Sequence, residues 1–107
     1  MKIVNTDLAK EVWFVNDQDK DVQVLMRRFP VSMSIFAPND QDGIVKLAWQ
    51  RFNYCLVDWK GFIDENDKVL ECVEENKRMV FDYDTDSLLW ITSLISSFDK
   101  SITKKKS

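Results

Sequence analysis

Glu11-Val12-Trp13-Phe14-Val15-Asn16-Asp17-Gln18-Asp19-Lys20-Asp21-Val22-Gln23-Val24-Leu25-Met26-Arg27-Arg28-Phe29 is the stretch on which the fold turns. Two runs rich in β-branched and aromatic residues flank the polar segment Asn16 to Lys20, a pattern that predicts an antiparallel hairpin. The two-residue strand period puts Val22, Val24 and Met26 on one face and Leu25 and Phe29 on the other. Beyond Pro30, Val31, Met33 and Ile35 alternate with Ser32 and Ser34, which predicts a third, short edge strand ending near Pro38.

The rest of the chain reads as helices. Asn39 to Gly43 is turn-like, and its Asp and Asn residues are suited to capping a following helix. From Ile44 to Trp59 the residues Ile44, Val45, Ala48, Trp49, Phe52, Cys55, Leu56 and Trp59 fall within an arc of about 140° at helical spacing, predicting an amphipathic helix. Gly61 follows as its expected left-handed cap. After a polar turn at Asp64 to Lys68, Glu74 to Phe81 reads as a short helix with acids first and bases later, as the helix dipole favours. Asp84, Thr85 or Asp86 then caps a last helix whose apolar stripe is Leu88, Ile91, Leu94, Ile95 and Phe98. The expectation is a single α+β domain over residues 1–100. A small N-terminal antiparallel sheet of two or three strands packs on about three helices, with Trp59, Phe52 and Ile91 central to the core. Residues 101–107 form a basic, disordered tail.

Composition fits one globular domain: 107 residues, 45% apolar and 31% charged. The four tryptophans and seven phenylalanines supply large units of burial. With no histidine, Ser-His-Asp and Cys-His catalysis and imidazole metal ligation are excluded. Two glycines do not build a phosphate-cradling loop. The formal charge is −3, and the basic run Lys104-Lys105-Lys106 leaves the rest more acidic still, which argues against nucleic acid as a partner. Asn5, Thr6, Asp7 and Lys10 interrupt any signal-peptide core, so Cys55 and Cys72 are expected as free thiols, Cys55 in the core. No apolar run reaches the ~20 residues of a membrane span.

Candidate chemistry is thin. Asp17, Asp19 and Asp21, and again Asp82, Asp84 and Asp86, open like calcium loops. The sixth and twelfth positions are then Val22 and Arg28, or Ser87 and Ser93, instead of Gly and a bidentate Glu. Hairpin turn and helix cap are the better readings. The carboxylates of Asp64 to Asp67 and Glu71 to Glu75 lack the opposed placement of an acid/base pair, and acids beside Cys72 disfavour its thiolate. No catalytic, cofactor-binding or metal site is expected, and no cofactor. The more informative oddity is apolar excess. Leu47 and Tyr54 lie opposite the stripe of the Ile44–Trp59 helix, Trp13 and Phe14 point to opposite faces of their strand, and Leu89 and Trp90 lie off or at the rim of the last stripe. These six are the candidate partner-binding residues.

Val57 to Lys77, with Trp59-Lys60-Gly61-Phe62-Ile63-Asp64, an acidic turn and Glu75-Asn76-Lys77, resembles a pattern of small tail assembly chaperones and related tail-module proteins of long-tailed bacteriophages. In that family a helix ends in such a W-x-G turn and an E-N-K helix start follows. The strand pair ending at Arg27-Arg28-Phe29 is similar to the family's N-terminal portion, and the likeness extends over about residues 11–98. Cys72-Val73 stands where the family has a threonine cap. The resemblance implies a protein of the bacterial host cytoplasm that binds the tape measure protein and recruits tail tube subunits by non-covalent contacts. The alternative is a structural subunit, a head-tail connector or minor tail protein, retained in the virion. Self-association is left open; nucleic acid and membrane are not expected partners.

Overall fold

The computed structural model describes the backbone of residues 1–4, 6–30, 32–33 and 41–106; the side chains of Asp7, Gln41, Asp42 and residues 99–106 lie outside the description. A short 3-10 turn at Thr6–Ala9 precedes strands β1 (Val12–Val15) and β2 (Gln23–Met26). Helix α1 (Gln41–Cys55) runs directly into strand β3 (Leu56–Lys60). Helices α2 (Glu74–Tyr83) and α3 (Thr85–Lys106) complete an α+β fold.

The hairpin forms as the sequence predicts. β1 pairs antiparallel with β2, Phe14 opposite Val24 and Val12 opposite Met26. Its turn is held by side chains: Asn16 Oδ1 accepts from the N–H groups of Gln18 and Asp19 at 2.8 and 3.2 Å, and Asp19 Oδ1 accepts from Asp21 N–H at 3.2 Å. Such short polar side chains satisfy backbone donors locally.

The third strand is not where the alternation at Val31–Ile35 places it. Ser32 and Met33 are helical, with Met33 N–H donating to the Pro30 carbonyl at 3.1 Å; the remainder of that segment, and the expected cap at Asn39 and Asp40, fall outside the described residues. The strand is instead the last turn of the expected helix. β3 pairs antiparallel with β2, giving the sheet order β1-β2-β3. A bulge explains the misreading. Trp59 lies opposite Val24 and Asp58 opposite Leu25, but Leu56 lies opposite Met26, so Val57 is an extra residue on β3. A regular strand would turn Leu56 and Trp59 to opposite faces. The inserted residue brings both to the core, at 0% and 5% exposure, and so reproduces the i, i+3 spacing of a helix.

Gly61 therefore ends a strand and does not cap a helix. Its φ is +85°, and an added Cβ would lie 2.7 Å from the Asp21 carbonyl carbon and 3.0 Å from Val22 Cα. Only glycine lets this backbone pass so close to the hairpin turn in that conformation. Phe62 to Leu70 then form a tight loop closed by the Ile63–Val69 bridge, with Asp64 Oδ1 accepting from Asn66 and Lys68 N–H groups and Asp67 at φ 61°.

The core gathers Val24 and Met26 from β2, Phe52, Cys55, Leu56 and Trp59 from α1 and β3, and Ile91 and Ile95 from α3. Phe52, Ile91 and Trp59 are central, as expected. Trp59 stacks on Phe62 at 4.4 Å, and its Nε1 donates to the Leu70 carbonyl at 2.8 Å. Trp49, Phe52 and Phe81 join α1 to α2, with Phe81 5.3 Å from each of the other two rings.

Because α1 enters β3 without a loop, its last carbonyls have no local cap. Arg27 supplies two donors, its N–H to Cys55 O at 2.9 Å and its Nε to Tyr54 O at 2.7 Å, and Lys77 Nζ donates to Asn53 O at 3.0 Å. These cations also face the negative end of the helix. α2 begins at Val73 with no side-chain cap, keeps Glu74 and Glu75 in its first turn, and carries no base in its last turn: Lys77 and Arg78 sit mid-helix, contrary to the expected dipole pattern. Asp84 caps α3, accepting from Ser87 N–H at 3.2 Å and Ser87 Oγ at 2.8 Å. Lys104–Lys106 lie at the end of α3, where no side chain is described.

Candidate interaction surface

The six residues expected at a partner surface divide by what the fold places over them. Leu89, in the second turn of α3, is 63% exposed, and Trp13 on β1 is 38% exposed with Lys60 Nζ 4.5 Å above its ring. Phe14, Leu47, Tyr54 and Trp90 are half-buried and pack against the core. Phe14 meets Phe98 edge-on at 5.3 Å, which sets α3 beneath β1. Tyr54 is covered by chain from beyond β2: the Arg27 guanidinium lies 3.7 Å over its ring and Phe29 meets it edge-on at 5.9 Å.

The exposed large apolar side chains among those described on α1 are Ile44 and Val45, on its expected core stripe, and Ala48 of the same stripe is exposed too. The helix thus buries part of the face expected to be free and exposes part of the one expected to be buried. A helical wheel does not register Arg27 and Phe29, which arrive from another part of the chain.

Two adjoining depressions flank the start of α3. A shallow groove at the α2–α3 corner is lined by Met79, Val80, Tyr83, Asp84, Thr85 and Asp86, with Met79 and Tyr83 56% and 78% exposed. A second cleft, between the β1–β2 turn and α3, is lined by Asn16, Asp17, Gln18, Asp86, Ser87, Leu89 and Trp90. Asp86 borders both. Large apolar side chains here stand among carboxylates, a combination suited to another polypeptide more than to a small molecule.

The two outer edges of the sheet differ. Asn16 N–H donates to Val22 O, which fixes the hydrogen-bonding parity of the hairpin: Val12, Phe14 and Asn16 direct their backbone polar groups to β2, whereas Trp13 and Val15 direct theirs outward. On β3 the outward N–H of Trp59 is taken by the Asp58 carboxylate at 2.8 Å, next to the bulge. That edge is blunted in two ways natural sheets use against edge pairing, while β1 has neither a charge, a proline nor a bulge.

Burial perturbs two titratable groups near the core. Burial pushes the Cys72 thiol up from 9.0 to about 11, with Lys77 pulling it down and Asp58 adding to the rise. It is a protonated thiol at neutral pH, and enclosure outweighs the neighbouring acids that the sequence suggested. Burial also lowers the Lys77 pKa. Cys55 and Cys72 are not joined in a disulfide. Among the described residues no group of three or more His, Cys, Asp or Glu is placed to hold a metal ion, and no helix is long and apolar enough to cross a membrane. Asp19 and Asp84 are used on backbone N–H groups, and Asp82 pairs with Arg78 at 3.0 Å.

Comparison with protein-family models, with curated proteins and with solved structures finds no match.

Proposed function

We propose that this chain is a non-catalytic polypeptide-binding module and, following the resemblance carried by Trp59 to Lys77, a tail assembly chaperone of a long-tailed bacteriophage. In this reading it works in the host cytoplasm, holds the helical tape measure protein and recruits tail tube subunits by non-covalent contacts. The supporting observation is the pair of depressions around Asp86, where Met79, Tyr83 and Leu89 stand exposed among acids. Exposed apolar groups give reversible contact with amphipathic helices, and surrounding carboxylates keep the free protein soluble.

The test is co-expression with the tape measure protein of the same genome, followed by mass spectrometry of purified virions. A soluble complex lost on Leu89→Asp with Tyr83→Asp, and absence of the chain from mature particles, are the expected results. A tape measure protein that aggregates regardless of this chain refutes the chaperone role. Abundant copies in the virion refute it in favour of a structural subunit.

A further inference from the structure

We infer that β1 pairs antiparallel with β1 of a second copy of this chain, joining two sheets into one of six strands, and that Lys10 of each copy enters the other's cleft beside Asp86. The open edge comes first. Trp13 and Val15 present outward N–H and C=O groups on an uncharged, unbulged strand, while the opposite edge is closed by Asp58. Parity and charge together select the register. Outward groups pair only with outward groups, which allows a two-fold axis at Trp13, Phe14 or Val15. Axes at Phe14 and Val15 set Glu11 against Asp17 or Asp19 of the other copy, whereas the axis at Trp13 sets Trp13 opposite its counterpart and Val15 opposite Glu11.

Charge and facing then agree with that register. It sets Lys10 of the second copy opposite Asn16, at the mouth of the cleft. Lys10 shares the strand face of Val12 and Phe14, the face under which α3 lies. That is the face on which α3 begins, where the Asp86 carboxylate accepts no hydrogen bond from and makes no ion pair with any described residue. Leu89 and Trp90 line the same cleft and suit the aliphatic stem of a lysine. The two-fold makes this contact twice. The dimer covers Leu89 and the Asp86 cleft but leaves Tyr83 and Met79 of the α2–α3 groove exposed, so self-association and capture of another polypeptide by that groove are read out separately.

Sedimentation equilibrium of the full chain across micromolar concentrations tests it. The wild type is expected to dimerise, with slowed amide exchange at Trp13 and Val15 in the dimer. Val15→Pro removes an outward N–H that β2 does not use and is expected to yield a monomer with unchanged circular dichroism. Lys10→Glu is expected to weaken the dimer at least about tenfold, and Lys10→Glu combined with Asp86→Lys to restore it. The charge swap keeps the test decisive if the proline variant fails to fold. A chain that stays monomeric throughout, or a dimer indifferent to Lys10 and Asp86, overturns the inference.

Discussion

Replacing Gly61 by alanine tests the point where β3 leaves the sheet. At φ +85° a side-chain-bearing residue in a left-handed conformation costs about 1 to 2 kcal/mol. The new methyl carbon would also lie 2.7 Å from the Asp21 carbonyl carbon, against backbone that has no rotamer with which to yield. Forcing atoms into a filled space adds about 1 to 3 kcal/mol. The expected loss is therefore about 2 to 5 kcal/mol, against a usual total of about 5 to 15 for a domain. In urea that lowers the unfolding midpoint by about 1 to 3 M. Tryptophan fluorescence is a suitable signal, since Trp59 stacks on Phe62 one residue from the altered site. Gly61→Asn separates the two contributions: asparagine tolerates the dihedral better but brings the same Cβ, so it is expected to remain destabilised. Glu65→Ala, on an exposed turn, is the control, expected within about 0.5 kcal/mol of the parent. A loss below about 1 kcal/mol for Gly61→Ala would refute the close approach of this backbone to the hairpin turn.

Trp59→Ala is expected to cost about 3 to 5 kcal/mol by cavity formation and loss of the bond to Leu70 O, read from the same urea curves; a loss below about 1 kcal/mol would show the core to be misplaced. Lys77→Met strips the donor from Asn53 O and is expected to lower stability by about 1 to 3 kcal/mol, an unchanged midpoint counting against that cap. With its pKa raised from 9.0 to about 11, Cys72 is expected to react with iodoacetamide at pH 8 about 100-fold more slowly than an unstructured thiol, in proportion to its smaller thiolate fraction. Because the folded chain holds this proton where the unfolded chain releases it, the Cys72 contribution to stability is complete below pH 9 and declines from there toward pH 11, a decline that Cys72→Ser removes.

Where an element's own period matches its burial, the sequence discloses it. Val24 and Met26 announce the inner face of the hairpin, and Ile91 and Ile95 the inner face of α3. Asp84 caps where its side chain suits it. β3 was hidden because its bulge restores a helix-like spacing, and no local rule distinguishes that from the end of α1. The candidate surface was partly readable for a related reason. Leu89 stands off its stripe and stays exposed, whereas Tyr54 is covered by Arg27 and Phe29, which are distant along the chain. The open edge of β1 follows from pairing parity and was not visible before the sheet order was known. The cleft needed the juxtaposition of residues 16–18 with residues 86–90, which periodicity does not encode.

The loopless passage from α1 to β3 leaves no hinge between a helix and the strand that continues it. Fraying α1 at its C-terminal end frees the carbonyls held by Arg27 and Lys77, and parting β2 from β3 withdraws Arg27 from the helix. Neither event proceeds alone. Residues 52–60 accordingly open as one cooperative unit, and this segment resists proteases as a block or yields as a block.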